Sequence, residues 1–148
     1  MVQSFSLQTL LDLMRNRNDL ATQRLAALLA SEHDAREKLA LLLQYRDEYS
    51  ARFRQAAANG LGQPEWRNYQ DFLSRLDEAI RQQEQAVQVH ETHTATGQAD
   101  WQRQRVRLKA FDTLSERHRA REARLELRQE QKIQDEYAAR GQDDEADA

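Results

Sequence analysis

The chain has 148 residues, 39% of them hydrophobic and 32% charged, and its 22 Lys and Arg nearly balance 25 Asp and Glu for a formal net charge of -3. Such polarity, carried by Ala, Leu, Glu, Arg and Gln, argues against a compact multilayer core and for long helices that bury one narrow stripe. With no cysteine there is no disulfide framework, thiol nucleophile or thiolate metal site, which fits a reducing compartment. No apolar run reaches the ~18 residues that a bilayer span needs.

The N-terminal stretch "MVQSFSLQTLLDLMRNRNDL" lacks the leading basic cluster and continuous apolar core of a secretory signal, so the reading is cytoplasmic. From there apolar residues recur every seven positions. One series runs Leu7, Met14, Ala21, Leu28, Ala35, Leu42 and Tyr49; another runs Leu11, Asn18, Leu25, Glu32, Leu39, Arg46 and Phe53. These are the two seam positions of a coiled coil, and they predict a first helix over residues 5–57. Next comes "AAANGLGQPEW", which holds the only proline and two of the four glycines. Asn59, Gly60 and Gly62 favour positive φ and Pro64 disfavours helix at Gln63, so residues 58–64 form a turn. Pro64 and Glu65 suit the first turn of a second helix over residues 65–139. Its seam runs through Trp66, Leu73, Ile80, Val87, Thr94, Trp101 and Leu108, and through Tyr69, Leu76, Gln83, His90, Gly97, Gln104 and Phe111.

A short break between two long amphipathic helices gives an antiparallel hairpin. The expected fold is therefore all-α, a single antiparallel coiled-coil hairpin over residues 1–140. One register sets Leu42 against Ile80, Tyr49 against Leu73, Met14 against Leu108 and Leu11 against Phe111. It also sets the largest side chain, Trp101, against Ala21, and Gly97 against Leu25. Polar layers match as Asn18 with Gln104 and Glu32 with His90, while Arg46 against Leu76 and Leu39 against Gln83 fit less well. The first helix would measure roughly 80 Å and the second roughly 110 Å. Residues beyond about His118 then overhang without an intramolecular partner, carrying Leu125, Leu127, Ile133 and Tyr137. A softened or bent section is expected at "THTATG", residues 92–97. Gly141 should end the second helix, leaving 141–148, "GQDDEADA", as a disordered acidic tail.

Enzyme chemistry is not indicated: there is no Gly-rich phosphate loop, nucleophile elbow or triad order, and no cofactor is expected. His90 and His93 have a spacing that could hold a metal, but the plainer reading places His90 in the seam beside Glu32 and His93 in solvent, with no metal. Residues 103–128 carry eight arginines and one lysine. Asp112, Glu116, Glu122 and Glu126 are interspersed among them, which favours a solvated or protein-docking face over nucleic acid. At the hairpin tip, Tyr45, Phe72 and Ala79 fall on the same flanking heptad position and should line one edge beside Leu42 and Leu76. That strip is either a contact site or a widening of the core.

"LLLQYRDEYSARF", followed by "WRNYQDFLSRLDEAI", resembles the flagellar FliJ family, soluble components of the bacterial flagellar type III export apparatus. The N-terminal "LQTLLDL", the length and the charged helical C-terminal region also fit, so the likeness covers all but the acidic tail. The Tyr45/Tyr49 pair, the breaker loop and the run Trp66, Tyr69, Phe72, Leu76, Ala79, Ile80 are its most specific part. The resemblance implies an antiparallel coiled coil similar to the central stalk of rotary ATPases. It implies a non-enzymatic stalk that docks by its terminal end in the hexameric export ATPase ring, contacts the cytoplasmic domain of the membrane export gate, and binds export chaperones. Such a protein would be cytoplasmic and peripherally associated with the inner membrane at the flagellar base. The family's gate-contact patch maps onto Leu42, Tyr45, Tyr49, Phe72, Leu76 and Ala79, bordered by Lys38 and Gln83. ATPase contacts are implied between Leu10 and Arg24 and along the overhang. The alternatives are a stalk or scaffold for another type III secretion ATPase and, further off, an Arg-rich nucleic-acid-binding coiled coil.

Overall fold

A computed structural model describes the backbone of residues 2–147 and the side chains of residues 7–146. The fold is all-α. Helix α1 spans Val2–Ala58, helix α2 spans Gln63–Asp147, and there is no strand among the described residues. Both helices are longer than the heptad pattern alone predicts, and the turn is correspondingly tighter.

The turn works as its residues suggest. The last turn of α1 tightens, with the Asn59 N–H donating to the Ala56 carbonyl and the Gly60 N–H to that of Ala57, both at 3.2 Å. Gly60 then takes φ 93°, a left-handed conformation that costs any residue with a Cβ about 1–2 kcal/mol. An added Cβ there would meet nothing within 4 Å, so glycine is required by conformation and not by space. Gly62 caps α2. Its carbonyl accepts the Trp66 N–H at 3.1 Å, and the Glu65 carboxylate reaches back to the Gly62 N–H at 3.4 Å. That reciprocal arrangement satisfies an otherwise orphaned donor at the helix start.

The chain forms two compact units, Asp19–Gln102 and Met1–Asn18 with Arg103–Ala148. In the first, α2 returns antiparallel to α1 over a narrow core of Ala21, Ala35, Tyr69, Leu76, Ile80 and Val87. The expected register is visible in several layers. The buried Thr94 donates its hydroxyl to the Leu28 carbonyl at 3.4 Å, and Gly97 sits against Leu25 and Leu28 so closely that an added Cβ would collide with Leu28 Cδ1. The Trp101 indole N–H donates to Thr22 Oγ1, beside Ala21, at 3.0 Å. The two awkward layers resolve by side-chain reach. Arg46 leaves the seam to pair with Asp77 at 3.0 Å, and the Gln83 amide donates to the Ala35 carbonyl at 2.9 Å.

Two expectations change within α2 and its neighbours. Helix α2 is uninterrupted through residues 92–97, where the Thr92 and Thr96 hydroxyls donate to the carbonyls four residues earlier, at 3.1 Å each. Glu32 does not take His90 as its partner: its carboxylate accepts from Arg36 at 3.0 Å, one helical turn away. The same guanidinium bridges to Glu91 at 2.8 Å, and its hydrogen bond to Glu32, with the charge of Glu91, raises the Arg36 pKa against a smaller opposing effect of desolvation.

In the second unit, Leu11 is 1% exposed and Met14 and Ser115 are also buried, with Arg119 donating to the Gln8 side-chain amide oxygen, Oε1, at 3.4 Å across the pair. Arg15 approaches Asp112 at 3.9 Å on the same edge. From Arg119 to Ala146 every residue is exposed, including Leu125, Leu127, Ile133 and Tyr137, so this part of α2 buries nothing within the chain. Gly141 does not end the helix and residues 141–147 are not irregular: α2 continues to Asp147. A helical glycine costs only about 1 kcal/mol relative to alanine, and Gly141 adopts no left-handed conformation that would stop the ladder. Ala148, the last residue of the expected tail, lies outside the described residues.

Candidate functional site

The turn sets residues 45–53 of α1 opposite residues 66–79 of α2, and both stretches carry aromatic residues at helical spacing. On α1 they fall at Tyr45, Tyr49 and Phe53, four apart; on α2 at Trp66, Tyr69 and Phe72, three apart. Side chains three or four apart share a helix face, so each trio presents a row to the other. The rows interlock. Tyr45 and Phe72 have ring centroids 6.5 Å apart, and Phe72 lies 4.3 Å from Tyr49 in a tilted contact. Tyr49 stacks on Tyr69 at 5.3 Å, Tyr69 on Phe53 at 3.5 Å, and Phe53 meets Trp66 at 5.0 Å. Six rings thus form one continuous cluster. Aromatic pairs contribute ~0.5–1.5 kcal/mol beyond the area they bury, so the cluster holds the turn end together by several kcal/mol. The hydroxyl of the buried Tyr69 lies 3.4 Å from Ser50 Oγ, and either can donate.

The six residues expected at a contact patch do not share one environment. Leu76 is 7% exposed and belongs to the core. Leu42, Tyr49, Phe72 and Ala79 are half-buried, while Tyr45 is 55% exposed and offers its ring to solvent at one end of the cluster. The structure brings Tyr45, Tyr49 and Phe72 together through direct ring contacts. The strip therefore both widens the core and presents an exposed aromatic face. Sequence reasoning placed Phe53, Trp66 and Tyr69 in the seam without joining them to this group. The signal lay in the four-residue and three-residue aromatic spacings, which together predict interlocking rows.

Lys38 and Gln83, which border the patch, line an open groove shared with Ser31, Asp34, Leu41 and His90. His90 and His93 meet ring edge to face at 6.4 Å, and no group of three or more His, Asp or Glu among the described residues is placed to hold a metal. None of the candidate patch residues is itself a charged group, and the ion pairs around them lie on exposed edges. Arrangement of this kind suits binding: a rigid aromatic platform costs little side-chain entropy when a partner covers it.

Fold and surface together define an antiparallel helical hairpin of the coiled-coil class with an aromatic face beside its turn. A family model described as "Flagellar FliJ protein" matches residues 3–143. Curated relatives named "Flagellar FliJ protein" are 31% identical in Salmonella typhi and 30% identical in Escherichia coli K12, each over 140 residues and 95% of both chains. A third, from Buchnera aphidicola subsp. Schizaphis graminum, is 25% identical over 101 residues, covering 68% of this chain and 66% of its own. The chain belongs to the flagellar FliJ protein family.

Proposed function

We propose that this protein is a non-enzymatic stalk of the bacterial flagellar type III export apparatus. In this reading its terminal half docks in the hexameric export ATPase ring and its turn end meets the cytoplasmic domain of the membrane export gate, while export chaperones bind along it. The protein works in the cytoplasm at the inner-membrane base of the flagellum. Leu42, Tyr45, Tyr49, Phe72, Leu76 and Ala79 form the gate-contact region, with Tyr45 and the exposed part of Phe72 as the surface a partner touches and Leu76 as its support.

The observation that carries this reading is the aromatic cluster, which ends in an exposed Tyr45 ring in a chain of the flagellar family. The match to relatives named flagellar favours flagellar export over another type III secretion system. No helix among the described residues is long and apolar enough to cross a membrane, so contact with a membrane component has to be made through protein surface. The test is a pull-down of the intact chain with the export ATPase and, separately, with the gate's cytoplasmic domain. Tyr45→Ala should weaken gate capture while leaving ATPase capture intact; equal loss of both, or of neither, would overturn the assignment of the two ends.

A further inference from the structure

The arginines that intermingle with acids along residues 103–128 separate once the helix is formed. Positions 107, 110, 114, 117, 121, 124 and 128 recur at alternating spacings of three and four, so they share one face of α2 over about 32 Å. That face reads Arg, Ala, Leu, Arg, Arg, Arg, Arg. None of Asp112, Glu116, Glu122 or Glu126 falls on it. All seven residues are exposed, as is Val106 at its upstream end.

Three adjoining shallow grooves follow this face. The first is walled by Val106, Lys109, Ala110, Thr113, Leu114 and Arg117. The second joins Leu114, Arg117 and Arg121 to Leu7 and His118, and the third runs past Arg117, Arg121, Arg124, Leu125 and Arg128. Among the described residues no carboxylate forms an ion pair with Arg107, Arg117, Arg121, Arg124 or Arg128. The opposite edge behaves differently, for there Arg15 approaches Asp112 and Arg119 binds Gln8. Charge on one side of the helix is engaged within the chain, and charge on the other side is directed outward.

We propose that this face is a docking site for an acidic amphipathic helix of another protein, which lays apolar side chains along Val106, Ala110 and Leu114 and carboxylates along Arg117, Arg121, Arg124 and Arg128. Charge complementarity fixes the sign of the partner, since the downstream half presents four guanidiniums and no acid. The apolar upstream half fixes its class. A phosphate backbone gains nothing from Val106, Ala110 and Leu114, and its contacts would stop where they begin. A bilayer needs a broad apolar face to insert, whereas here the arginines lie in line with Leu114 on the same face. A helix with leucines followed by glutamates matches both halves, and arginine offers each carboxylate a two-pronged hydrogen-bonded contact.

This inference goes beyond the export reading and is tested separately from it. The full-length chain is titrated against a fluorescent peptide designed as a helix with leucines and then glutamates on one face. A scrambled isomer, poly-glutamate of equal charge, single-stranded DNA and vesicles containing anionic lipid serve as comparisons. The designed peptide should bind at least about tenfold tighter than its scrambled isomer. Charge reversal by Arg117→Glu, Arg121→Glu, Arg124→Glu and Arg128→Glu should remove about tenfold or more of that affinity, and so should Leu114→Asp, with helicity unchanged because every altered side chain is exposed. Tyr45→Ala should have no effect, so failure of this face and failure of the turn-end contact are read independently. Equal binding of the scrambled peptide, poly-glutamate or DNA would show a generic polyanion site and overturn the proposal. Vesicle binding lost with the arginines would overturn it in favour of a lipid surface, and self-association lost with them in favour of a second copy.

Discussion

Replacing Tyr45 by alanine separates what the aromatic cluster does for the fold from what it offers a partner. The Tyr45 ring is 55% exposed and makes one ring contact, with Phe72 at 6.5 Å. Losing that contact and the covered half of the side chain costs on the order of 1–2 kcal/mol. Alanine returns part of this, about 0.5 kcal/mol, because it is the better helix former. The net loss of stability should therefore be about 1 kcal/mol or less, which for a chain of this size moves the thermal midpoint by about 2–4 °C. Leu76→Ala is the contrasting change: Leu76 is 7% exposed, and truncating a core leucine costs about 2–5 kcal/mol. If Tyr45 is a contact anchor, its removal should weaken gate binding by about tenfold or more, since hot-spot aromatics carry about 2 kcal/mol or more at interfaces. Circular-dichroism melts and titration calorimetry with the gate's cytoplasmic domain give the two quantities side by side. A Tyr45→Ala protein that melts as early as Leu76→Ala would show that the ring belongs to the core. One that is stable and still binds with full affinity would show that the exposed aromatic edge is not the contact.

Other outcomes follow from single residues. Gly60→Ala should lower stability by about 1–2 kcal/mol through the left-handed φ alone, and Gly60→Asn, which tolerates that conformation better, should recover part of it in the same melts. Leu11→Ala should cost about 2–4 kcal/mol, with the loss of hydrogen-exchange protection concentrated in residues 1–18 and 103–118. Breaking the Arg46–Asp77 pair by Asp77→Asn should change stability by less than about 1 kcal/mol, because both side chains are substantially exposed. Gly97→Ala sets a gain of about 1 kcal/mol in helix propensity against crowding of Leu28 that costs about 1–3 kcal/mol, so a small net destabilisation is expected. Adding Leu28→Ala should make the alanine at 97 favourable, and a double-mutant cycle with no coupling between the two sites would refute the close approach.

Most of the fold was legible because a coiled coil writes its contacts into the chain at a fixed period. Seven-residue spacing located both seams, and the breakers at Asn59, Gly60, Gly62 and Pro64 located the turn. Matching Gly97 with Leu25 followed from register alone. What the period could not supply was side-chain reach. Arg46 and Gln83 look wrong for a seam until one swings out to Asp77 and the other finds the Ala35 carbonyl. Glu32 looks suited to His90 until Arg36, a turn away and more flexible, takes it first. Gly141 looked like a stop because glycine often is one. Its actual penalty is small, and nothing in the sequence after it supplies the proline or hydrophobic contact that would fix a left-handed cap.

The candidate surfaces show the same division between order along the chain and order around the helix. Read in line, Arg107 to Arg128 is a run of mixed charge, and its field should be weak. Wound at 3.6 residues per turn, five of its arginines fall on one side and the acids on others, so the same composition yields a face of one sign. The aromatic residues follow that logic with a different result. Tyr45, Tyr49 and Phe53 are spaced to face Trp66, Tyr69 and Phe72, so the inner rings spend most of their area on each other and the two ends, Tyr45 and Trp66, remain open. A partner at the turn therefore meets a preformed platform whose rings are already fixed by their neighbours. A partner on the arginine face meets long, mobile side chains that must be ordered on binding. Binding at the turn should depend little on salt, whereas binding along the arginines should weaken steeply as salt rises. Measuring both affinities across the same salt series distinguishes the two surfaces, and parallel slopes would mean that one of them has been misassigned.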